Sequence, residues 1–173
     1  MLFDVRKEIL CKMENINVRK AVPADLEILL GFEQGVIEAE RPFDTTLKEG
    51  LIHYYDIAAM MTADHVELVV AETGSEIIGS GYARIEAAKP YVKHATYAYL
   101  GFMYVRPDYR GKGVNGKIVA ALKEWSYLQG ITEMRLDVYS DNETALRAYR
   151  KMGFVPNLVE MKMDLNDDPS FLV

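Results

Sequence analysis

The segment from Thr96 to Tyr139 constrains the fold most. "TYAYLGFMYV" (Thr96–Val105) is almost wholly apolar or aromatic, as a central strand covered on both faces would be. The glycine-rich loop "RPDYRGKGVNG" follows, and from Val114 the period changes. Ile118, Leu122 and Trp125 fall at i, i+4 and i+7, and Gly130 stands where a helix stops. "ITEMRLDVY" then alternates, Ile131, Met134, Leu136 and Val138 against Glu133, Arg135 and Asp137. A strand reached through a crossover helix returns parallel to the strand it left. Ile131–Tyr139 is therefore expected beside Thr96–Val105, parallel to it.

The flanking sequence adds antiparallel elements. "INVRKA" (Ile16–Ala21) reads as a short strand. "VPADLEILLGFEQGVIEAE" reads as a helix with Pro23 near its first turn and Leu26, Leu29, Leu30, Phe32 and Ile37 on one face. Past Pro42, Thr45–Met61 places Leu47, Leu51, Tyr54, Tyr55 and Ala58 at helical spacing. "VELVVAE" and "EIIGSGYARIE" are strands joined across "TGS". Ser140 with Glu143 predicts a capping box for a helix through Met152, closed by Gly153. Along it Ala145, Tyr149 and Met152 form a stripe of the kind that usually packs in a core. "VEMKMDL" reads as a last strand. With no repeat or linker, 1–173 reads as a single domain with its core at about 16–165, α/β in class, with a mixed sheet.

Composition narrows the function. The net charge of −6 argues against nonspecific nucleic-acid binding. No apolar run approaches the length that crosses a bilayer, so no membrane is expected as a partner. "MLFDVRKEILCKMEN" has scattered charges and no apolar h-region, which sets an expectation of no secretion signal and a cytoplasmic location. One cysteine, Cys11, allows no internal disulfide and supplies no metal-ligand spacing, so no metal is expected. Between Arg106 and Lys123, however, five basic residues face a single Asp108. Arg110 and Lys112 lie inside the glycine loop, where a local anion site suits a small phosphorylated ligand.

Three phosphate-binding patterns overlap in "RGKGVNGK". Gly111, Gly116 and Lys117 spell a Walker A loop that lacks its closing Ser/Thr, the residue that holds Mg²⁺; Ile118 stands there instead. Gly111, Gly113 and Gly116 spell a dinucleotide fingerprint, with Asp137 21 positions later as a ribose carboxylate. That pattern needs a βαβαβ run, and the upstream strands look antiparallel. Arg110 and Gly113 spell most of R-x-x-G-x-G/A, a pyrophosphate cradle opening a helix at Val114. Free N–H groups there, the dipole behind them and the charges of Arg110 and Lys112 all favour an anion.

With "YVRPDYRGKGVNGKIVAAL" and, further on, "DNETALRAYRKMGF", the chain resembles the GNAT superfamily of N-acetyltransferases. The resemblance spans about Ile16 to Leu165 and is most specific between Tyr97 and Phe154. It departs at Asn115, where the family's second small residue would be, with Gly116 one step late. It implies the GNAT acyl-CoA N-acyltransferase fold, a mixed central sheet with helices on both faces, and acetyl-CoA as cosubstrate. The implied cofactor residues are Met103 and Val105 through their backbone, then Arg110, Gly111, Lys112, Gly113, Val114, Asn115, Gly116 and Asn142. A backbone N–H of the Thr96–Val105 strand would polarise the thioester carbonyl. Tyr149 takes the family's place for the general acid that protonates the departing thiolate. Asn142 serves equally well as a helix-start residue.

No carboxylate lies on "TYAYLGFMYV" to act as base. Glu38, Glu40 and Asp44 remain at the junction of the first helices, with Glu40 and Arg41 as candidate substrate contacts. His53, His65 and His94 match no motif, and Cys11 precedes the first strand, which disfavours a ping-pong route. The implied reaction is direct acetyl transfer to a primary amine of a small molecule or a protein, with a homodimer suggested by the resemblance. A non-catalytic acyl-CoA-binding module and a dinucleotide-binding protein are the alternatives.

Overall fold

The computed structural model describes residues 15–165; Cys11 and the opening segment lie outside them. One five-stranded sheet runs in the order β1 (Ile16–Lys20), β2 (Val66–Thr73), β3 (Glu76–Ala87), β4 (Thr96–Val105), β5 (Met134–Arg135). The first three pairings are antiparallel and β4–β5 is parallel. The expected strand at Thr96–Val105 and the parallel return after the crossover helix are both present. So is the hairpin across "TGS", turned at Gly74 with φ 61°. Three antiparallel pairings exclude the doubly wound sheet a dinucleotide site needs.

Helix α1 (Leu26–Glu40) covers one face of the sheet. Leu29, Phe32 and Val36 pack there with Leu68, Val70, Tyr82 and Phe102, joined by Ile57 and Met60 of α2 (Ile57–Thr62). Leu30, expected on that face, is exposed; the wholly buried Glu33 occupies the stripe instead. Helix α3 (Val114–Leu128) covers the opposite face, where Ile118 lies against Gly79 and Gly81. Both glycines are needed there, because a Cβ on either would collide with neighbours, including Ile118.

Salt bridges fix the entry to α1. Arg19 on β1 holds both carboxylate oxygens of buried Asp25, at 2.7 and 3.0 Å, and its Nε donates to Glu72 of β2 at 2.8 Å. Asp25 also accepts from the backbone N–H of Val22, which leads into the Pro23–Asp25 turn.

Several expected elements are shorter or absent. The helix expected over Thr45–Met61 forms only from Ile57. Ahead of it, the N–H groups of Tyr54 and Tyr55 donate to the carboxylate of Glu33 rather than to carbonyls of a preceding turn. Asp56 caps the short helix by accepting from Ala59 N at 3.0 Å. The strand expected at Ile131–Tyr139 pairs only at Met134 and Arg135. "VEMKMDL" forms no strand, and Val159, Met161, Met163 and Leu165 are exposed, since period-2 patterning makes a strand only where an edge receives it.

Contacts divide the chain into two units, 1–137 and 138–173. The second holds helix α4 (Glu143–Lys151), closed by Gly153 at φ 96°. Its N-cap is Asn142, whose Oδ1 accepts from Ala145 N at 3.1 Å, and not Ser140, whose hydroxyl turns to Asp141. No residue of α4 is buried, so Ala145 and Tyr149 belong to no core stripe.

Candidate active site

The parallel ladder between β4 and β5 has two rungs, Ala98↔Met134 and Tyr99↔Arg135, with Ala98 N donating to Glu133 O at 2.9 Å. No rung forms beyond Tyr99, although β4 runs on to Val105. That stretch of β4 therefore has backbone groups on its β5 side without a strand partner among the described residues, and such an edge can accept an extended ligand.

Within it the chain bulges. From Ser80 to Tyr82, β3 advances two residues while β4 runs three, from Tyr104 to Gly101. Phe102 has φ 55°, the one positive value outside glycine among the described residues. An aromatic residue in that region costs roughly 1–3 kcal/mol. The buried ring repays this by packing on Tyr55, centroids 5.2 Å apart, and Ser80 Oγ donates to Phe102 O at 3.1 Å. A bulge re-aims the backbone groups beside it. Sequence reading missed Phe102, because nothing in an apolar strand marks the position of an extra residue.

Beyond Val105 the loop is held open. Arg106 N donates to Ile78 O, a turn follows at Pro107–Tyr109, and Arg110 Nε returns to Val105 O at 3.1 Å. Gly111 and Gly113 have φ 72° and 79°, and no atom lies within 4 Å of where a Cβ would be on either. Helix α3 starts at Val114 with no side-chain cap. Lys117 N is the first to reach a helical acceptor, Gly113 O at 3.2 Å, which leaves the N–H groups of Val114, Asn115 and Gly116 without one. Asn115 Oδ1 is buried and has no partner among the described residues. Arg110 is exposed, and Lys112 Nζ lies 5.1 Å from the Tyr109 ring centroid. Lys117 is turned away, its Nζ bonding Ile16 O, and Ile118 is wholly buried. A Walker A role fits neither.

At the junction after α1, three carboxylates differ. Glu38 is bound to Arg41 at 2.9 Å, and Asp44 accepts from Thr46 N and Oγ1. Glu40 is half-buried; desolvation raises its pKa, a hydrogen bond with Tyr54 opposes the rise, and Asp44 adds to it. Arg41 places one donor each on Glu38 and on the carbonyls of Lys48 and Gly50, fastening the loop. In the second unit, Asn142 is engaged as a cap, and the half-buried Tyr149 meets Phe154 edge-on at 5.8 Å.

An uncapped helix start behind two left-handed glycines, at the end of a strand its parallel neighbour has left, puts unpartnered N–H groups beside an open strand edge. Residues 34–154, most of the chain, match the model of the Acetyltransferase (GNAT) family, and the chain belongs to that family. It is 36% identical over 55 residues to the thialysine N-epsilon-acetyltransferase of Bos taurus, a match spanning 32% of each protein, so it covers about a third of that enzyme's length. It is 27% identical over 105 residues to the aminoglycoside N(6')-acetyltransferase type 1 of Salmonella typhimurium, over 59% of this chain and 71% of that one. A predicted acetyltransferase of Clostridium acetobutylicum, solved with acetyl-CoA, shares the fold at a TM-score of 0.64 and 20% identity, covering 89% of this chain and 99% of that one. No helix of the described residues is long and apolar enough to cross a membrane, and no group of three or more His, Cys, Asp or Glu among them could hold a metal ion.

Proposed function

We propose that this chain is a cytoplasmic N-acetyltransferase that moves an acetyl group from acetyl-CoA to a primary amine by direct attack, its residues about 16–165 acting as one domain. The observation that carries this is the loop Arg110–Gly116, where two glycines at positive φ give the backbone room in front of an uncapped α3. The pyrophosphate is assigned to the N–H groups of Val114, Asn115 and Gly116, with Arg110 and Lys112 supplying charge and Gly111 and Gly113 the clearance. The pantetheine is assigned to the β4 edge through the backbone of Met103 and Val105.

Acetyl-CoA supplies an acyl thioester. The protein's part is to polarise its carbonyl with a backbone N–H beside the Phe102 bulge, which stabilises the negative oxygen as the amine nitrogen bonds to the acyl carbon. As the C–S bond breaks, the sulfur takes its proton from Tyr149 Oη. The amine's surplus proton goes to water or to Glu40, the carboxylate of the three whose burial favours proton uptake. Arg41 is assigned first to the loop, which takes three of its five N–H donors, and a substrate contact would use the two that remain. Asn142 is assigned to the α4 cap, where a cofactor contact would use its remaining amide hydrogens. A small-molecule amine is supported by the names of the relatives, one acting on an aminoglycoside and one on the ε-amine of thialysine.

The test is release of free CoA thiol from acetyl-CoA in the presence of diamines and amino sugars. Amine-dependent release is expected. Binding of acetyl-CoA with no release on any amine would make the chain an acyl-CoA-binding module instead.

A further inference from the structure

Asp137 is the carboxylate that the dinucleotide pattern singled out and that the fold leaves without a ribose. The structure gives it other surroundings. Tyr99 Oη donates to Asp137 Oδ2 at 2.9 Å, two residues past the last rung of the β4–β5 ladder. Burial first, and Asp137 second, push the Tyr99 phenol well above its ordinary range, so it stays a donor to the carboxylate. Tyr82 packs beside Tyr99, centroids 6.5 Å apart, and both Tyr82 and Tyr97 feel the charge of Asp137.

The other charges on this face are matched. Arg84, over the rings of Tyr82 and Tyr99, pairs with Glu86, which also accepts from Tyr97 Oη. Arg135, 4.1 Å from the Tyr97 ring centroid, pairs with Glu133, and His94 lies against both. Asp137 alone of these three carboxylates has no cation partner among the described residues, and it is exposed. With both arginines paired to carboxylates, the unpaired carboxylate of this face is Asp137. An exposed carboxylate held in place by a phenol among aromatic rings is chemistry for an organic cation.

We infer that Asp137, positioned by Tyr99, docks a second, non-reacting ammonium of the acceptor, so that the enzyme selects di- or polycationic amines over monoamines. This rests on the acetyltransferase reading, which puts the reacting thioester on β4 just beyond Tyr99. It places the acceptor on the α1 side of the sheet, the side that carries Tyr82 and Tyr99.

The experiment compares diaminobutane with butylamine as acceptors, by CoA release, for the parent protein and for Asp137→Asn, Asp137→Glu and Tyr99→Phe. Acetyl-CoA-induced thermal stabilisation is measured on each. The parent is expected to prefer the diamine in kcat/KM by about tenfold or more, the scale of one charge-assisted contact. Asp137→Asn should erase that preference through KM, Asp137→Glu should restore part of it, and Tyr99→Phe should weaken it. Equal use of both amines by the parent, turnover of neither despite acetyl-CoA binding, or a preference untouched by Asp137→Asn would overturn the inference. Failure of acetyl-CoA to stabilise the parent would strike the acetyltransferase reading itself, and the two failures are thereby told apart.

Discussion

Glu33 Oε2 lies 2.7 Å from Nδ1 of His53, one partner wholly buried in the middle of α1 and the other largely exposed. The other oxygen, Oε1, accepts from the N–H groups of Tyr54 and Tyr55 at 2.7 and 2.9 Å. With Gln34 Nε2 on Ile52 O, this seats the segment that brings Tyr54 and Tyr55 onto the core. Glu33→Ala strands two backbone donors and is expected to destabilise by about 3 kcal/mol. His53→Ala removes a half-solvated contact and should cost less than about 1 kcal/mol. Urea unfolding of both variants checks this; equal losses would mean that the His53 contact, not the backbone donors, gives Glu33 its importance.

Acid should unfold the protein through Arg19. Its hydrogen bonds lower the pKa values of Asp25 and Glu72, against burial that works the other way. A depressed folded pKa means stability that is present above the unfolded values, 3.8 and 4.5, and lost as pH falls through the lower folded ones. Arg19→Met is expected to cost about 2 kcal/mol at neutral pH and to flatten the acid limb of the stability curve. Denaturant titrations from pH 7 downward measure both. A parallel, unflattened limb would assign the acid sensitivity to other groups.

The loop glycines should separate by backbone angle. Gly113 has φ 79°, so Gly113→Ala is expected to cost about 1 kcal/mol even though the space is open, and to weaken acetyl-CoA binding. Gly116 has no positive φ, lies within α3 and also faces open space, so Gly116→Ala should stabilise by about 0.5–1 kcal/mol. Melting temperatures with and without acetyl-CoA decide this. Opposite signs for the two variants are expected, and equal destabilisation would contradict the backbone assignment.

Tyr149→Phe removes one hydroxyl from a half-buried side chain whose ring keeps its edge-on partner, Phe154. If Tyr149 Oη protonates the leaving thiolate, kcat should fall about a hundredfold with acetyl-CoA affinity preserved. A variant with unchanged kcat would leave the thiolate to solvent and return Tyr149 to a packing role.

The sequence made the long elements legible because their patterns matched their burial. The whole of β4, the α3 stripe of Ile118 and Leu122, and the loop glycines were all in view. It concealed what depends on partners far along the chain. Glu33 sits on a helical stripe where an apolar residue is expected, and only the fold brings the N–H groups of Tyr54 and Tyr55 to it; the same bonds cut short the helix expected from Thr45. The bulge at Phe102 leaves no trace in composition. Asp137 carried a signal, but for a dinucleotide ribose, because its Tyr99 partner is 38 residues away in sequence. At the helix junction, local charge could not rank Glu38, Glu40 and Asp44; burial and partners did.

The most direct measurement is thermal unfolding of the protein with acetyl-CoA, free CoA, NAD and Mg-ATP in parallel. A ligand at about a hundred times its Kd stabilises by about 2.7 kcal/mol, which for a chain of this length raises Tm by several degrees. Rises with acetyl-CoA and CoA alone, reduced in Gly113→Ala, are expected if the Arg110–Gly116 loop holds a CoA pyrophosphate. A rise with NAD or Mg-ATP and none with either CoA species would contradict that assignment.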